Sequence, residues 1–400
     1  MKTPHTSKRL KGSKRARNIT MVFLLSSLGV GNFFTYWYSD LNNHIFNPTS
    51  EDPFYMVIHQ FMPGTDFGVA WMGEIVDTFG LGTSTRRLGV AAVLRLLDWS
   101  DSKLEQELVG FLNASEYYNV PILLHLDSEH FYDSRNDLWN WWNDSLPGYN
   151  TSNVDNVEWS DWDTPTKKGF LNWGSPIELV PRLCFESMVV RAEISRKSQI
   201  LVDKIIEWQE NLTLANKSDL FLGIDPGWET GIDSYENVDW VPEPYRYHLG
   251  YNALSKRGFN ATNPPQDFEA ELANAVKDFA EFEAKTLVEK GIPKEKIFTH
   301  IWGAENKLNN GYHMHAPLKV AFNDYSIPGF SLYPPSYDIL KVSSIVKNRR
   351  WTLMESPPLD DYREILRVGL NIMVVVYNWG GNVKGDPVAI AAIQEVLAQT

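Results

Sequence analysis

The chain has 400 residues, of which 43% are hydrophobic and 13% aromatic, enough for one large domain or two ordinary ones. Its formal net charge is −13; because residues 1–20 carry seven basic side chains and no acidic one, the remaining chain carries −20. Such an acidic chain argues against nucleic acid as a partner, since phosphate binding needs a basic surface. The single cysteine, Cys184, excludes an intrachain disulfide and a cysteine-based metal site.

The N-terminus has the pattern of a targeting segment. A basic tail, residues 1–18, precedes the nearly uncharged stretch 19–38, "ITMVFLLSSLGVGNFFTYWY", whose length of about 20 residues suits a bilayer. The long basic tail favours a signal anchor with a cytoplasmic N-terminus over a cleaved signal peptide. Either alternative sends residues 39–400 into the secretory pathway, as a single-pass type II membrane protein or a secreted one. Six Asn-X-Ser/Thr sequons agree with this and predict a glycoprotein, at Asn113, Asn143, Asn150, Asn211, Asn216 and Asn260.

From residue 53 onward, short apolar runs alternate with amphipathic stretches. Eight runs are predicted as strands, at 54–61, 88–97, 120–127, 220–225, 296–302, 327–333, 350–355 and 370–379. Helices are predicted over 101–118, about 184–210, 267–291 and about 385–398, and long insertions follow the third and fourth strands. This order predicts an α/β fold, a (β/α)8 TIM barrel, for residues 39–400. A doubly wound open sheet is the alternative, but the first strand is not followed by a glycine-rich phosphate turn.

The ends of these strands carry the side chains of interest, because a barrel of this type places its chemistry at the carboxyl ends of its strands. In chain order they are Arg95, His125, Asp127, Trp228, Glu229, His300, Trp302, Tyr333, Glu355 and Trp379. Glu229 and Glu355 follow the fourth and seventh strands, so we expect them to face each other across the barrel mouth.

Two facing carboxyl groups are what glycoside hydrolysis requires. One protonates the leaving oxygen, and the other attacks the sugar carbon or activates water. A proton donor needs a raised pKa, for which Trp228 offers an apolar wall beside Glu229. Arg95 would favour the charged form of Glu355, and Tyr333 would donate a hydrogen bond to it. Trp379 is predicted to form the platform on which a sugar stacks.

This constellation resembles the clan A retaining glycoside hydrolases. The residues that match their pattern are Arg95, His125, Glu229, His300, Tyr333, Glu355 and Trp379. The resemblance covers about 54–400, as a pattern of strand ends. It implies Glu229 as acid/base and Glu355 as nucleophile of a double displacement on a carbohydrate substrate, with no cofactor and no catalytic metal. One position departs from the pattern: most clan members have Asn before the acid/base Glu, where it binds the sugar 2-hydroxyl, and this chain has Trp228.

Two other functions compete with this one. A metal-dependent barrel hydrolase could draw ligands from His125, Asp127, His130, His300, His313 and His315. The first strand, however, offers the single His59 and not the His-X-His of amidohydrolases. A non-catalytic sugar-binding barrel is the second alternative, because the Asn before Glu229 is missing. The aromatic stretches 138–142 and 157–162 either line a glycan cleft or pack the insertion onto the barrel.

Overall fold

The eight predicted strands form one parallel sheet that closes on itself. The computed structural model describes residues 53–61, 69–171, 177–236, 238–302, 314–333, 339–347, 349–367 and 372–399. The barrel strands are β1 Phe54–Gln60, β2 Arg86–Arg95, β3 Ile122–Asp127, β4 Phe221–Asp225, β5 Phe298–Trp302, β6 Ile327–Ser331, β7 Thr352–Ser356 and β8 Met373–Val376. They pair in the order β4-β3-β2-β1-β8-β7-β6-β5, and a bridge between Ile224 and Ile297 joins the two ends. The predicted (β/α)8 barrel is confirmed.

A glycine permits this closure between β4 and β5. Gly223 has a φ of +151°, and a Cβ at this position would lie 2.3 Å from the carbonyl oxygen of Lys296. Any side chain would therefore push the two strands apart. The Lys296 ammonium in turn donates to the carbonyl oxygen of Phe221, at 2.7 Å, and ties the start of β4 to the segment before β5.

Helices cover the outside of the barrel. They are α1 Val69–Phe79, α2 Asp101–Tyr118, α3 Met188–Leu214, α4 Phe268–Glu289, α5 Ile339–Val346, α6 Arg363–Arg367 and α7 Pro387–Leu397. All four helices predicted from sequence are present. Each begins after a residue whose side chain accepts a hydrogen bond from the first turn, namely Ser100, Ser187, Asp267 and Asp386. The predicted apolar face of α2, which includes Leu104 and Leu108, is buried.

The insertion after β3 packs on itself. It contains the short helix Asn136–Trp139, the 3-10 helix Thr151–Asn156 and two β-hairpins, Trp159–Asp161 with Thr164–Pro165 and Gly169–Leu171 with Ile177–Leu179. Trp139 is buried, with its ring 5.5 Å from that of Trp142. The indole N–H groups of Trp141 and Trp159 donate to carbonyl oxygens within the insertion. These contacts favour the packing interpretation of the aromatic stretches over the glycan-cleft one.

The barrel interior changes from apolar to polar along its axis. The lower part is filled by an apolar cluster whose members come from all eight strands or their ends: Val57, Ala91, Leu123, Leu222, Phe298, Ile327, Met354, Ile372, Met373 and Val375. Toward the carboxyl ends the buried residues become ionisable, with His59, His125, Asp225, His300 and Glu355 each less than 5% exposed. Buried ionisable groups concentrated at one end of a barrel mark a candidate functional site.

The predicted membrane segment, 19–38, lies outside the described residues. Among the residues that are described, no helix combines the length and the hydropathy needed to cross a bilayer. The sequon residues are accessible in this fold: Asn143 is half-buried, and Asn113, Asn150, Asn211, Asn216 and Asn260 are exposed. Glycosylation of these positions stays a prediction.

Candidate active site

Glu229 and Glu355 share one pocket at the carboxyl end of the barrel. One carboxylate oxygen of each, together with one ring nitrogen of His300, all lie within 4.8 Å of one another. Glu229 belongs to the turn that follows β4, and Glu355 lies within β7, next to a register shift in its pairing with β6. The sequence prediction that these two carboxyl groups meet across the barrel mouth agrees with this geometry.

Both oxygens of Glu355 accept hydrogen bonds. The indole N–H of Trp228 donates to Oε2 at 2.7 Å, and the hydroxyl of Tyr333 donates to Oε1. Glu355 is 4% exposed, so these bonds form away from bulk water. Donors directed at a carboxylate stabilise its charged form. Trp228, which we expected to provide an apolar wall for Glu229, therefore also supplies a polar contact to the opposite carboxylate.

Glu229 is held through its backbone and its neighbours. Its φ of +51° lies in the left-handed region, which costs a non-glycine residue about 1–3 kcal/mol unless the surroundings enforce it. The residues on either side enforce it: Trp228 is bonded to Glu355, and the N–H of Thr230 donates to the carbonyl oxygen of His300 at 3.0 Å. Oε1 of Glu229 is buried and has no hydrogen-bond partner among the described residues.

The turn also needs glycine before Trp228. A Cβ on Gly227 would lie 2.3 Å from Oγ1 of Thr230 and 3.0 Å from a carboxylate oxygen of Glu283. The hydroxyl of Thr230 donates to Oε1 of Glu129 at 2.7 Å. The tight packing of Gly227 lets this turn bend so that Trp228 and Glu229 both point into the pocket.

A chain of polar side chains runs from Glu229 into the barrel. The hydroxyl of Ser331 lies beside the Glu229 carboxyl group and lowers its pKa. Nε2 of His300 lies 2.7 Å from Oγ of Ser331, and Nδ1 of His300 lies 2.9 Å from Oδ2 of Asp225. His125 is adjacent, with Nε2 at 3.5 Å from the same Asp225 oxygen. His300 therefore connects the acid candidate to a buried carboxyl group that sequence reasoning did not single out.

Burial controls the protonation of the pocket. It raises the pKa of Glu229 and that of Glu355, and the charge of Glu229 raises the pKa of Glu355 further. Burial also lowers the pKa of His300 to about 4, and it raises the pKa of Asp225 well above its usual range. Two buried carboxyl groups this close to each other disfavour simultaneous ionisation. The two donors on Glu355 oppose the effect of burial and favour its charged form.

Three predicted site residues make contacts within the protein. Arg95 stacks on Phe131, with its guanidinium carbon 4.3 Å from the ring centre, and lies 3.6 Å from Asp98. Oδ1 of Asp127 accepts hydrogen bonds from the backbone N–H groups of Glu129 and His130, so Asp127 caps the turn after β3. Trp302 is buried at the end of β5, where its backbone pairs with that of β6.

Trp379 occupies a different place from the one expected. It packs edge-on against Phe79 of α1, at 5.8 Å between ring centres, and its indole N–H donates to Glu74 of the same helix. The strand β8 ends at Val376, and Asn378 adopts a left-handed conformation with φ of +63°, which turns the chain before Trp379. These contacts favour a packing role for Trp379, between α1 and the end of β8, over the predicted role of sugar platform.

Tyr377 lies where the platform was expected. Its ring is 6.4 Å from that of Trp228 and stacks on His59 at 5.6 Å. Burial raises its pKa, and the charges of Glu355 and Glu229 add to this effect. Tyr377 lies two residues after Val375, whose side chain faces the barrel interior. Alternate residues of a strand face the same side, so this spacing is the sequence signal for an inward-facing Tyr377.

A second buried polar cluster lies beneath the Glu229 turn. Ser128 donates to Glu283 of α4 at 2.6 Å, and Arg182 donates to the carbonyl oxygen of Glu129 at 2.7 Å and lies 3.2 Å from Asp233. Burial raises the pKa of Glu129 to about 7 and that of Glu283 well above its usual range. This cluster fixes the turn from below. It combines residues from three loops and a helix, so the sequence offered no spacing signal for it.

The geometry argues against the metal-dependent alternative. His125, Asp225 and His300 lie within metal-ligating reach of one another, as do Glu229, His300 and Glu355. His300 belongs to both groups, yet Asp225 and Ser331 already occupy both of its ring nitrogens. Asp127 and His130 pair with each other at the turn after β3, and His315 lies near His248. His313 is outside the described residues.

Comparison with known proteins extends the fold assignment. No family model and no curated protein matches the sequence. Among solved structures, the chain is similar to the catalytic domain of a β-amylase from Paenibacillus polymyxa, with 13% identity, a TM-score of 0.54, and coverage of 87% of this chain and 98% of that one. A GH26 endo-β-1,4-mannanase from Bacillus sp. JAMB-750 aligns at 12% identity and a TM-score of 0.43, covering 90% and 88%. At these identities the likeness concerns the fold alone, and the first of the two agrees with the predicted (β/α)8 barrel.

Proposed function

We propose that the protein is a retaining glycoside hydrolase with Glu229 as acid/base and Glu355 as nucleophile. The observation that carries this proposal is that Glu229 and Glu355 share one pocket, where one carboxylate oxygen of each lies within 4.8 Å of one oxygen of the other. Retaining enzymes hold the pair at about 5–5.5 Å, whereas inverting enzymes need about 6.5–9.5 Å to admit a water molecule. The name of the structural neighbour, a β-amylase, supports a carbohydrate substrate.

The contacts of each carboxyl group suit its proposed role. Glu355 must be ionised to attack the anomeric carbon, and Trp228 and Tyr333 donate to its two oxygens. Glu229 must first give a proton to the leaving oxygen and then take one from water. Its Oε1 lacks a hydrogen-bond partner among the described residues, which disfavours the charged form in the resting enzyme.

The side chain of Ser331 can follow both states of Glu229. When Glu229 is protonated it donates to Ser331, which donates to Nε2 of His300, and Nδ1–H of His300 donates to the Asp225 carboxylate. After Glu229 has given its proton to the leaving oxygen, the Ser331 hydroxyl turns and donates to the Glu229 carboxylate, while Nδ1–H of His300 still donates to Asp225. Ser331 can make this change because a hydroxyl is both donor and acceptor.

We further propose that the enzyme works in the secretory pathway, anchored by residues 19–38. The basic tail, the apolar stretch and the six sequons support this. Treatment of the protein from a eukaryotic host with an endoglycosidase tests it: a drop in apparent mass supports lumenal exposure, and an unchanged mass opposes it.

Turnover of a panel of activated aryl glycosides, covering both anomers of common sugars, tests the activity. We expect hydrolysis of at least one of them by the wild type and none by Glu355→Gln. Loss of activity on chelation without a change in melting temperature would favour the metal-dependent alternative. Glycan binding without turnover would favour the non-catalytic barrel.

A further inference from the structure

Three side chains that commonly bind metals meet on the carboxyl side of the barrel, in a group that shares no residue with the glutamate pair. His248 lies in the long loop after β4, Glu269 lies in the first turn of α4, and His315 lies in the loop after β5. One potential ligand atom from each falls within 4.8 Å of the other two. The three are separated by 21 and 46 positions in the chain, so only the fold brings them together.

The distances fit coordination by a single ion. Nε2 of His248 lies 3.3 Å from Oε1 of Glu269, and Nδ1 of His315 lies 2.5 Å from Oε2. The two imidazole rings are 4.7 Å apart between centres. A zinc ion at about 2.0–2.2 Å from each nitrogen and oxygen ligand would draw these atoms into a common shell with only small side-chain movements.

The hydrogen bond between Nδ1 of His248 and the Leu249 carbonyl oxygen leaves Nε2 as the ring nitrogen that faces Glu269. Nδ1 lies 3.0 Å from the carbonyl oxygen of Leu249, and because a carbonyl oxygen only accepts, Nδ1 carries the proton. Nε2 then directs either a lone pair or a second proton at Glu269. A lone pair facing a carboxylate oxygen is unfavourable, so Nε2 either carries a second proton or shares a cation with Glu269. Metal-ligating histidines have this pattern, with the second ring N–H donated to a carbonyl oxygen.

We propose that His248, Glu269 and His315 bind one Zn²⁺ ion. Two imidazoles and one carboxylate are a ligand set that zinc accepts, and three protein ligands leave one position for water. His315 is buried, whereas the side chain of Glu269 is 52% exposed. The ion would enter past Glu269 and reach the buried nitrogen behind it.

Zinc at this position would brace the turn that carries Glu229. The N–H of Ile232 donates to the carbonyl oxygen of Met314, the residue before His315, at 2.9 Å. Through its three ligands, the site would also join the loop after β5 to α4 and to the loop that carries His248. Since a ligand that binds only the folded state stabilises it, Zn²⁺ should raise the melting temperature.

Zinc binding by the full chain in detergent, freed of metal and dialysed, tests this proposal. Titration of Zn²⁺ against a chromophoric chelator gives the affinity, and elemental analysis gives the stoichiometry. We expect one equivalent per chain in the wild type and binding weaker by more than about 100-fold in Glu269→Gln and in His248→Gln. The matched control is Glu271→Gln, which removes the same charge from the same turn of α4 and should leave affinity unchanged.

Thermal unfolding supplies the second readout. Zn²⁺ should raise the melting temperature of the wild type and of Glu271→Gln, and leave those of Glu269→Gln and His248→Gln unchanged. The proposal is overturned if the wild type retains no zinc, or if Glu269→Gln retains it with wild-type affinity. Neither readout involves glycoside hydrolysis, so failure here would leave the proposed activity standing.

Discussion

The turn after β4 and the end of β7 present the same side chain in opposite ways. Glu355 is part of a strand, and two donors hold its oxygens. Glu229 lies in a left-handed turn, with one buried oxygen that has no hydrogen-bond partner among the described residues. Burial raises the pKa of both, and it raises that of Glu355 well above its usual range. The roles proposed for the two residues therefore rest on the hydrogen-bond donors, which favour the charged form of Glu355.

Removing the proposed nucleophile should have the largest effect. Glu355→Gln keeps the shape of the side chain but cannot form the glycosyl-enzyme intermediate. We expect kcat/KM to fall on the order of 10⁴-fold or more. Steady-state kinetics on an activated aryl glycoside measures this. A loss below tenfold would remove Glu355 from the role of nucleophile.

Removing the proposed acid/base should have a smaller effect that depends on the substrate. Glu229→Gln should lower kcat by about 10²–10⁴-fold on poor leaving groups, which need protonation. Dinitrophenyl glycosides, whose leaving group departs unprotonated, should lose far less in the glycosylation step. The alkaline limb of the pH profile, which reports loss of the acid proton, should disappear. Equal losses on good and poor leaving groups would contradict the assignment.

Trp228→Phe removes one donor from Glu355 and retains the aromatic ring. A hydrogen bond to a charged group contributes about 1.5–3 kcal/mol, so kcat/KM should fall by about 10–100-fold. Because this donor lowers the pKa of Glu355, its loss raises that pKa. The acidic limb of the pH–rate profile should then move to higher pH. An unmoved acidic limb with the same loss of rate would indicate a purely steric effect.

Ser331→Ala tests the chain behind Glu229. The Ser331 hydroxyl lowers the pKa of Glu229, so its removal raises that pKa. The alkaline limb should shift to higher pH, while the acidic limb stays and kcat falls by less than about tenfold. Ser331→Thr, which restores a hydroxyl, is the rescue variant. A shift of the acidic limb instead would place Ser331 with Glu355.

Trp379→Phe should affect stability and spare catalysis. The change removes the N–H bond to Glu74 and part of the packing on Phe79. We expect the free energy of unfolding to fall by about 1–2 kcal/mol, measured by denaturant unfolding. The value of kcat/KM should stay within about twofold. A large rise in KM would return Trp379 to the role of sugar platform.

The sequence predicted the barrel well because periodicity reports burial directly. All eight strands and the four predicted helices lie within a few residues of their observed bounds. The strand ends alone predicted that Glu229 and Glu355 lie close together, as they do. Helices α1, α5 and α6 were missed. The sequence of α1, "VAWMGEIVDTF", has neither an acidic first turn nor a basic last one. The contacts of Trp379 with α1 were not foreseen, because a left-handed Asn378 turns the chain after β8 and a spacing argument does not include such a turn. The cluster of Glu129, Arg182 and Glu283 depends on contacts between distant loops.

Covalent trapping tests the central claim most directly. A 2-deoxy-2-fluoro sugar with a dinitrophenyl leaving group, matched to the sugar that the glycoside panel identifies, slows the second displacement and allows the intermediate to accumulate. Peptide mapping by mass spectrometry then locates the adduct. The account predicts one adduct per chain, on Glu355, in the wild type and in Glu229→Gln, and none in Glu355→Gln. An adduct on another residue, or no adduct together with a product of inverted anomeric configuration, would contradict it.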